Sequence, residues 1–150
     1  MGTSAAGGRL ILRAAEPSED DLHRAVARAL DVLLLPPAVW TTFPAGHVPL
    51  PPAMAAKLMR LGLKRGWPDI LILHAGRTHG IELKPRDGEL SRTRTKRTRR
   101  GSLRVLEGQR DVLPKLRAAG MVVEVCRSLD SVLACLQRWE IPTRRAASPV

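Results

Sequence analysis

Apolar residues recur with a helical period near the N-terminus and with a strand period in the middle of the chain. Four of them lie three or four positions apart: Leu22, Val26, Leu30 and Leu33. This spacing places them on one helix face and predicts a first helix over residues 19–34. Ser18 followed by Asp21 resembles a capping box, which fits a helix that begins at this point.

The rest of the chain alternates between strand and helix patterns. We predict strands at residues 39–43, 70–73, 81–84 and 121–126. We predict further helices at residues 53–61, 107–119 and 129–139, the last of them capped by Ser128. A turn at 75–80 joins the second and third strands in a hairpin, and the third helix either kinks at Pro114 or begins at Asp111. This order predicts an α/β fold with a mixed sheet flanked by helices.

The length of 150 residues predicts one domain. We place it at residues 18–141, between a flexible N-terminus at 1–17 and a flexible tail at 142–150. No apolar run approaches the roughly 20 residues that span a bilayer, and no signal peptide is evident, so we expect a soluble, cytoplasmic protein with no membrane partner. Cys126 and Cys135 suggest neither a disulfide framework nor a zinc site, and we expect two reduced core thiols.

The balance of charged residues indicates the chemical class of the binding partner. The chain has 25 Lys and Arg against 14 Asp and Glu, a net charge of +11, which favours a polyanion. Aromatic residues make up only 3% and Tyr is absent, so recognition by base stacking is disfavoured and contacts to phosphates fit better. No nucleotide-binding glycine motif is present. We expect His23 and His47 to be surface residues, and His74 and His79, which flank the turn, are weak metal candidates.

The predicted hairpin carries the clearest candidate chemistry. Because side chains alternate along a strand, Ile81 and Leu83 point to one face, and Glu82 and Lys84 point to the other. Asp69 precedes the partner strand. With a turn of six or seven residues it lies beyond the end of a simple pairing, and an offset or a bend is needed to bring it near Glu82. Converging carboxylates suit Mg²⁺ or Mn²⁺, and a lysine can hold a phosphate or a water. The alternative is a surface Glu–Lys pair.

The first helix adds a third carboxylate. Glu19 lies on the apolar stripe, three positions before Leu22 and seven before Val26, so we expect it to face inward. Asp20 projects to the solvent side near Arg24. A carboxylate on the core face is costly unless it has a partner or a metal. The alternative, an interaction with the helix dipole, explains the position of Glu19 along the helix but not its face.

A basic segment follows the hairpin. Its seven cations lie within residues 92–104: Arg92, Arg94, Lys96, Arg97, Arg99, Arg100 and Arg104. Like charges so close together repel one another, so the segment is not expected to fold alone, and we predict a mobile arm that only bound phosphates would order. The alternative is a solvated loop without a ligand.

Taken together, these motifs resemble the PD-(D/E)xK nuclease superfamily, and more closely its VRR-NUC branch, the virus-type replication–repair nucleases. The resemblance covers about residues 18–141. It rests on SEDDLHRAV at 18–26, LMRLGLKRGWPD at 58–69, IELK at 81–84, GELS at 88–91, Gln109, LRAAG at 116–120 and VVEV at 122–125. The sequence departs from the family in two places. Pro44-Ala45-Gly46-His47 replaces Pro-Asn-Gly-Gly, and a basic insertion at about 92–106 separates Ser91 from Gln109.

The resemblance implies a restriction-endonuclease-like core that hydrolyses DNA phosphodiester bonds with Mg²⁺ or Mn²⁺. It implies a metal-binding set made of Glu19, Asp69, Glu82 and the backbone carbonyl of Leu83. Lys84 would position the water or the phosphate, and Gln109 would lie beside the site. Duplex or branched DNA and a homodimer are the implied partners. The alternatives are a non-catalytic nucleic-acid-binding protein that uses the basic loop, and an interaction protein with no affinity for DNA.

Overall fold

The computed structural model describes residues 15–43 and 50–144. Within these ranges the helices are α1 (Glu19–Leu33), α2 (Pro52–Arg60), α3 (Gln109–Ala118) and α4 (Leu129–Arg138). The strands are β1 (Val39–Thr42), β2 (Ile70–His74), β3 (Arg77–Leu83), β4 (Arg94–Arg97), β5 (Leu103–Leu106) and β6 (Val122–Cys126). Residues 1–14, which belong to the N-terminus predicted to be flexible, lie outside the described part, as do 145–150 and the Pro44–His47 departure from the family pattern.

Four strands form a mixed sheet in the order β1-β2-β3-β6. The first three are antiparallel neighbours, whereas β3 and β6 are parallel. Parallel neighbours need a long connection, and here it contains the separate β4–β5 hairpin and α3. The predicted α/β fold with a mixed sheet flanked by helices is therefore confirmed.

Two apolar clusters hold the helices on opposite faces of the sheet. The larger cluster joins α1 and α4 to the sheet and includes Val26, Leu30, Ile72, Ile81, Leu83, Val132 and Leu136. The smaller cluster joins α3 to β6 and is made of Val112, Leu113, Leu116 and Val123. Because Ile81 and Leu83 belong to the larger cluster, Glu82 between them points toward the α3 side.

The helix ends follow the sequence signals. Ser18 and Asp21 form the predicted capping box of α1, and Ser128 caps α4. Pro114 lies inside α3, which runs from Gln109 to Ala118, so the alternative start at Asp111 is wrong. Cys126 and Cys135 are buried free thiols, as predicted.

The turn of the central hairpin is shorter than predicted. β3 begins at Arg77 instead of residue 81, and Ala75 and Gly76 alone form the turn, with φ angles of 50° and 71°. Two residues with positive φ are typical of the tight turn whose twist matches that of a hairpin. Thr78 and His79 were assigned to the turn, but they belong to β3, and His79 is buried.

The basic segment is also different from the prediction. It was expected to be an unstructured arm, yet Arg94–Arg97 and Leu103–Leu106 pair as an antiparallel hairpin. Backbone hydrogen bonds between strands outweigh the repulsion of exposed cations, which water screens. At the other end of the domain, residues 142–144 of the tail predicted to be flexible are bonded to the end of α1, through a bridge between Leu34 and Thr143. No helix in the described ranges is long and apolar enough to cross a membrane.

Candidate active site

The short turn sets the position of Asp69. It pairs Ile70 with Ile81, and one further step along the same register places Asp69 opposite Glu82. The Asp69 carboxylate continues the pairing, because its Oδ2 accepts a hydrogen bond of 2.7 Å from the Leu83 backbone N–H. The offset or bend that a six-residue turn would have required is therefore unnecessary.

A glycine in the neighbouring strand allows Asp69 to take this position. A Cβ atom on Gly80 would lie 2.7 Å from Cγ of Pro68, which is closer than carbon atoms approach. Pro68 is fully buried and comes directly before Asp69. The missing side chain of Gly80 therefore lets Pro68 lie against the sheet and directs the Asp69 carboxylate toward Glu82.

Glu82 is the centre of the cluster. It is 0% exposed, and its Oε1 lies 3.1 Å from Lys84 Nζ. The same Oε1 accepts a hydrogen bond from Gln109 Nε2. Its second oxygen, Oε2, is buried without a hydrogen-bond partner among the described residues. A buried carboxylate oxygen in this state is energetically costly unless a ligand completes it.

The surroundings of Glu82 favour its protonated form. Burial raises the pKa of Glu82 to about 8 from an ordinary value of 4.5, and the nearby charges of Asp69 and Glu19 raise it too, while Lys84 opposes them. Desolvation disfavours the charged carboxylate, and like charges disfavour it further. A divalent cation next to Glu82 would favour the charged carboxylate instead.

Glu19 reaches the same cluster from α1. Its Oε1 lies 3.8 Å from Lys84 Nζ, and the two side chains are 26% and 11% exposed. Asp20, the next residue, is 63% exposed and pairs with Arg24 at 4.0 Å. The predicted inward direction of Glu19 and outward direction of Asp20 are thus both confirmed, and Lys84 links Glu19 to Glu82.

Gln109 reaches the site because it contacts Ser91, although the basic insertion separates the two residues in the sequence. Ser91 Oγ accepts from the Gln109 backbone N–H at 3.0 Å, and the Ser91 N–H donates to Gln109 Oε1 at 3.1 Å. Thr93 bonds Asp111 and accepts from the Gly108 N–H at 3.0 Å. A Cβ atom on Gly108 would lie 2.5 Å from the Ser91 carbonyl oxygen, so only glycine allows this contact. The insertion therefore forms a hairpin whose two ends meet.

His23 and Thr42 were missed in the sequence. His23 was expected to be a surface residue, but it is only partly exposed, and its Nε2 lies 2.9 Å from Thr42 Oγ1. The Thr42 hydroxyl donates to the backbone carbonyl of Asp69 at 2.9 Å. The signal that could have found His23 is its spacing, since it lies four positions after Glu19 and so on the same helix face.

The predicted DNA-binding residues are spread over the hairpin. Arg92 precedes β4, Arg99 and Arg100 lie in its turn, and the strands carry Arg94, Lys96, Arg97 and Arg104. All seven are exposed. The register pairs Arg94 with Leu106 and Lys96 with Arg104, which places these three cations on one face of the hairpin.

The fold and the cluster define a class of protein, an α/β protein with a buried acidic site where β2 begins and β3 ends. Glu19, Asp69, Glu82, Lys84 and Gln109 lie in one network of contacts, while the Leu83 side chain is in the core and its N–H serves Asp69. Among the described residues, no group of three or more His, Cys, Asp or Glu side chains is arranged to hold a metal ion.

No known protein family, curated protein or solved structure matches the chain.

Proposed function

We propose that the protein is a metal-dependent nuclease that hydrolyses DNA phosphodiester bonds. One observation carries the proposal: the fully buried Glu82 carboxylate lies opposite Asp69, with Lys84 Nζ at 3.1 Å. A structural Glu–Lys pair on an exposed sheet face, which was the alternative from the sequence, does not explain why this carboxylate is buried. Burial of an ionisable group is seldom kept for stability alone.

The donor set fits a hard divalent cation. Asp69 and Glu82 supply adjacent carboxylates, and Oε2 of Glu82 has no hydrogen-bond partner among the described residues. Mg²⁺ is commonly held by one or two carboxylates together with water and substrate phosphates, so a larger side-chain cluster is not required. When bound, Mg²⁺ or Mn²⁺ would lower the pKa of a water and neutralise charge on the phosphate. Glu19 and the Leu83 carbonyl stay predicted ligands.

The other side chains of the cluster would hold the reacting groups and the carboxylates in position. Lys84 Nζ, held between Glu82 and Glu19, would bind the attacking water or a phosphate oxygen by charge. The Gln109 amide donates to Oε1 of Glu82 and so holds that carboxylate in one orientation. The Thr42 hydroxyl bonds the Asp69 carbonyl and holds the start of β2. Such constraints lower the entropic cost of reaching the reactive geometry.

The finer parts of the proposal follow from the sequence resemblance. They are a restriction-endonuclease-like core of the VRR-NUC type, duplex or branched DNA as substrate, and a homodimer. A cytoplasmic location is proposed from the sequence pattern and not from the resemblance. The net charge of +11 supports a polyanionic substrate.

The test is DNA cutting by matched variants. The purified protein is incubated with labelled duplex, flap and four-way-junction DNA in Mg²⁺, in Mn²⁺ and in EDTA. We expect cutting only with metal, and we expect Glu82→Gln and Lys84→Met each to lower the rate by about 100-fold or more. Asp20→Asn is the matched control, because it neutralises an exposed carboxylate beside Glu19 and should cut like the wild type.

Two outcomes would contradict the nuclease. Tight DNA binding without cutting, unaffected by either substitution, would favour the non-catalytic nucleic-acid-binding protein. Absence of both binding and cutting would favour an interaction protein whose charge serves another purpose.

A further inference from the structure

A groove lies between the loop that follows α2 and the base of the β4–β5 hairpin. We call it the basic groove. It is lined by Arg65, Ser91, Arg92, Thr93, Arg94, Leu106, Glu107 and Gly108. Three of these residues are arginines with exposed side chains, and two carry hydroxyl groups. Arginine and hydroxyl donors together are typical of phosphate sites.

The arginines of the basic groove have no carboxylate within ion-pair distance among the described residues. Elsewhere in the described part, Arg24, Arg86, Arg110 and Arg138 each have such a partner. Of the acids near the groove, Glu107 is paired with Lys115, whereas Asp111 accepts a hydrogen bond from the neutral Thr93 hydroxyl and keeps its charge. Three arginines therefore stand against one uncompensated carboxylate, and the net positive potential of the groove favours an anion.

The hairpin extends this potential outward. Arg94, Lys96 and Arg104 share one face of the hairpin with the buried Leu106, so this face turns toward the groove at its base. The opposite face carries Leu103 and Val105, which are 67% and 62% exposed. One face of the hairpin thus forms a cationic path that ends at the groove.

The basic groove is connected to the acidic site by direct contacts. Ser91 lines the groove and also forms two hydrogen bonds with Gln109. Gln109 in turn donates to Glu82. An anion bound beside Ser91 would therefore lie two contacts away from the carboxylate at the centre of the site.

We infer that the basic groove binds a backbone phosphate of the DNA, held jointly by Arg65 and Arg94, near the phosphodiester bond that is cut. Arg65 is a new assignment, because it lies outside the basic insertion and was not among the predicted DNA-binding residues. The inference rests on the proposed function for the nature of the ligand. It gives the cationic face of the hairpin a role, because that face ends at the groove, which Ser91 and Gln109 connect to the acidic site.

The test measures DNA binding in EDTA, so that its result is independent of cutting. The affinity of a labelled duplex is measured at several salt concentrations for the wild type, Arg65→Ala, Arg94→Ala and the double variant. Each phosphate contact contributes about −0.9 to the slope of the logarithm of the binding constant against the logarithm of the salt concentration. Two arginines on one phosphate predict a double variant that loses about 0.9 of slope, and single variants that each lose less.

Arg77→Ala is the matched control. It removes the same charge at the start of β3, at the opposite end of that strand from Glu82 and Lys84, and we expect an unchanged slope. Thermal melting of all variants checks that they are folded. A double variant with the wild-type slope would overturn the inference, and so would a loss of about 1.8, which would mean two separate phosphates.

Inorganic phosphate distinguishes a free anion from the DNA backbone. Added without DNA at constant ionic strength, it should raise the melting temperature of the wild type no more than chloride does. A rise in the wild type that is absent from the double variant, together with an unchanged DNA slope in that variant, would assign the groove to a free anion and overturn the inference. A protein that binds DNA as expected but does not cut it with metal would contradict the nuclease and leave the groove in place.

Discussion

Glu82 is buried, as is Asp69, and in this it differs from the acids on the outer side of α1. It is 0% exposed, whereas Asp20 and Asp21 are 63% and 61% exposed on the outer side of α1. Alternation along β3 places Glu82 between two core residues but on the other face. The role of a carboxylate in this position can be tested through the response of the protein's melting temperature to pH and to metal.

The first prediction concerns the pH dependence of stability. The folded pKa of Glu82, about 8, lies above the ordinary 4.5, so its buried proton stabilises the fold most at low pH. This contribution is fully present below pH 4.5 and is lost as the pH rises from there through 8, and it amounts to roughly a few kcal/mol. Glu82→Gln cannot ionise. In EDTA we expect its melting temperature to exceed that of the wild type by more at pH 8.5 than at pH 5.5.

Metal should act in the opposite direction. Mn²⁺ or Mg²⁺ should raise the melting temperature of the wild type at pH 8.5 and leave that of Glu82→Gln unchanged, because a ligand stabilises only the state that binds it. Equal shifts in both proteins would remove Glu82 from the metal site. If the melting temperatures of the wild type and Glu82→Gln changed in parallel with pH in EDTA, the ionisation of Glu82 would have no effect on stability.

The second prediction concerns Gly80. An alanine Cβ would collide with Pro68 at 2.7 Å, so Gly80→Ala should push Pro68 and Asp69 away from the sheet. We expect a loss of stability of about 1–3 kcal/mol and a weaker effect of Mn²⁺ on melting. Gly76→Ala, in the turn of the same hairpin, is the control. It meets no atom within 4 Å, so it should lose stability through its positive φ alone and keep the metal response. A normal metal response in Gly80→Ala would separate Asp69 from metal binding.

At the scale of elements, the β4–β5 hairpin is an addition to the domain. Its ends are joined by Ser91 with Gln109 and by Thr93 with Gly108. Apart from Leu106, the residues of the hairpin are exposed or nearly so. The sheet of β1, β2, β3 and β6 does not include the hairpin. The hairpin should therefore contribute charge rather than stability.

The third prediction is that the hairpin can be removed. Replacing residues 95–105 with a short Gly-Ser linker deletes five cations and keeps Arg94 and Leu106. We expect melting within a few degrees of the wild type, a DNA affinity at least about tenfold lower, and unchanged metal-dependent hydrolysis of a small phosphodiester such as bis-p-nitrophenyl phosphate. Loss of that small-substrate activity would show that the hairpin shapes the site itself and does not only bind DNA.

At the scale of the whole molecule, the number of acidic clusters bears on the proposed nuclease. The described residues contain one such cluster, and a nuclease with one site would cut one strand at a time. Symmetric cutting of two strands needs two sites, most simply in a two-fold dimer. The fourth prediction uses this requirement.

If a homodimer cuts both strands of a four-way junction, inactive subunits should uncouple the two cuts. Wild type is mixed with increasing amounts of Glu82→Gln protein, so that mixed dimers form. We expect singly nicked junctions to accumulate as the fraction of inactive protein rises, measured on denaturing and native gels. The control is the same mixture with Asp20→Asn, which should give paired cuts. A loss of all products in simple proportion, without excess nicks, would contradict the dimer.

The sequence by itself determined the local features. Ser18 with Asp21, the Leu22–Leu33 stripe and the alternation around Glu82 gave the helix start, its buried face and the direction of the carboxylate, because caps and periodicities depend only on neighbouring residues. Glu19, Glu82 and Lys84 were found from helix and strand periodicity and Asp69 from its position before a strand, whereas Gln109 was implied only by the family resemblance. The structure joins all five in one network.

The tertiary structure alone decided how distant segments meet. The pairing of Asp69 with Glu82 depends on a two-residue turn at Ala75 and Gly76, and a change of one residue there would move every cross-strand neighbour. Ser91 and Gln109 meet across an insertion whose strands pair only with each other. His23 reaches the site through Thr42, on another element. These contacts are set by register and loop closure, which involve residues far apart in the chain and leave no periodic signal in it.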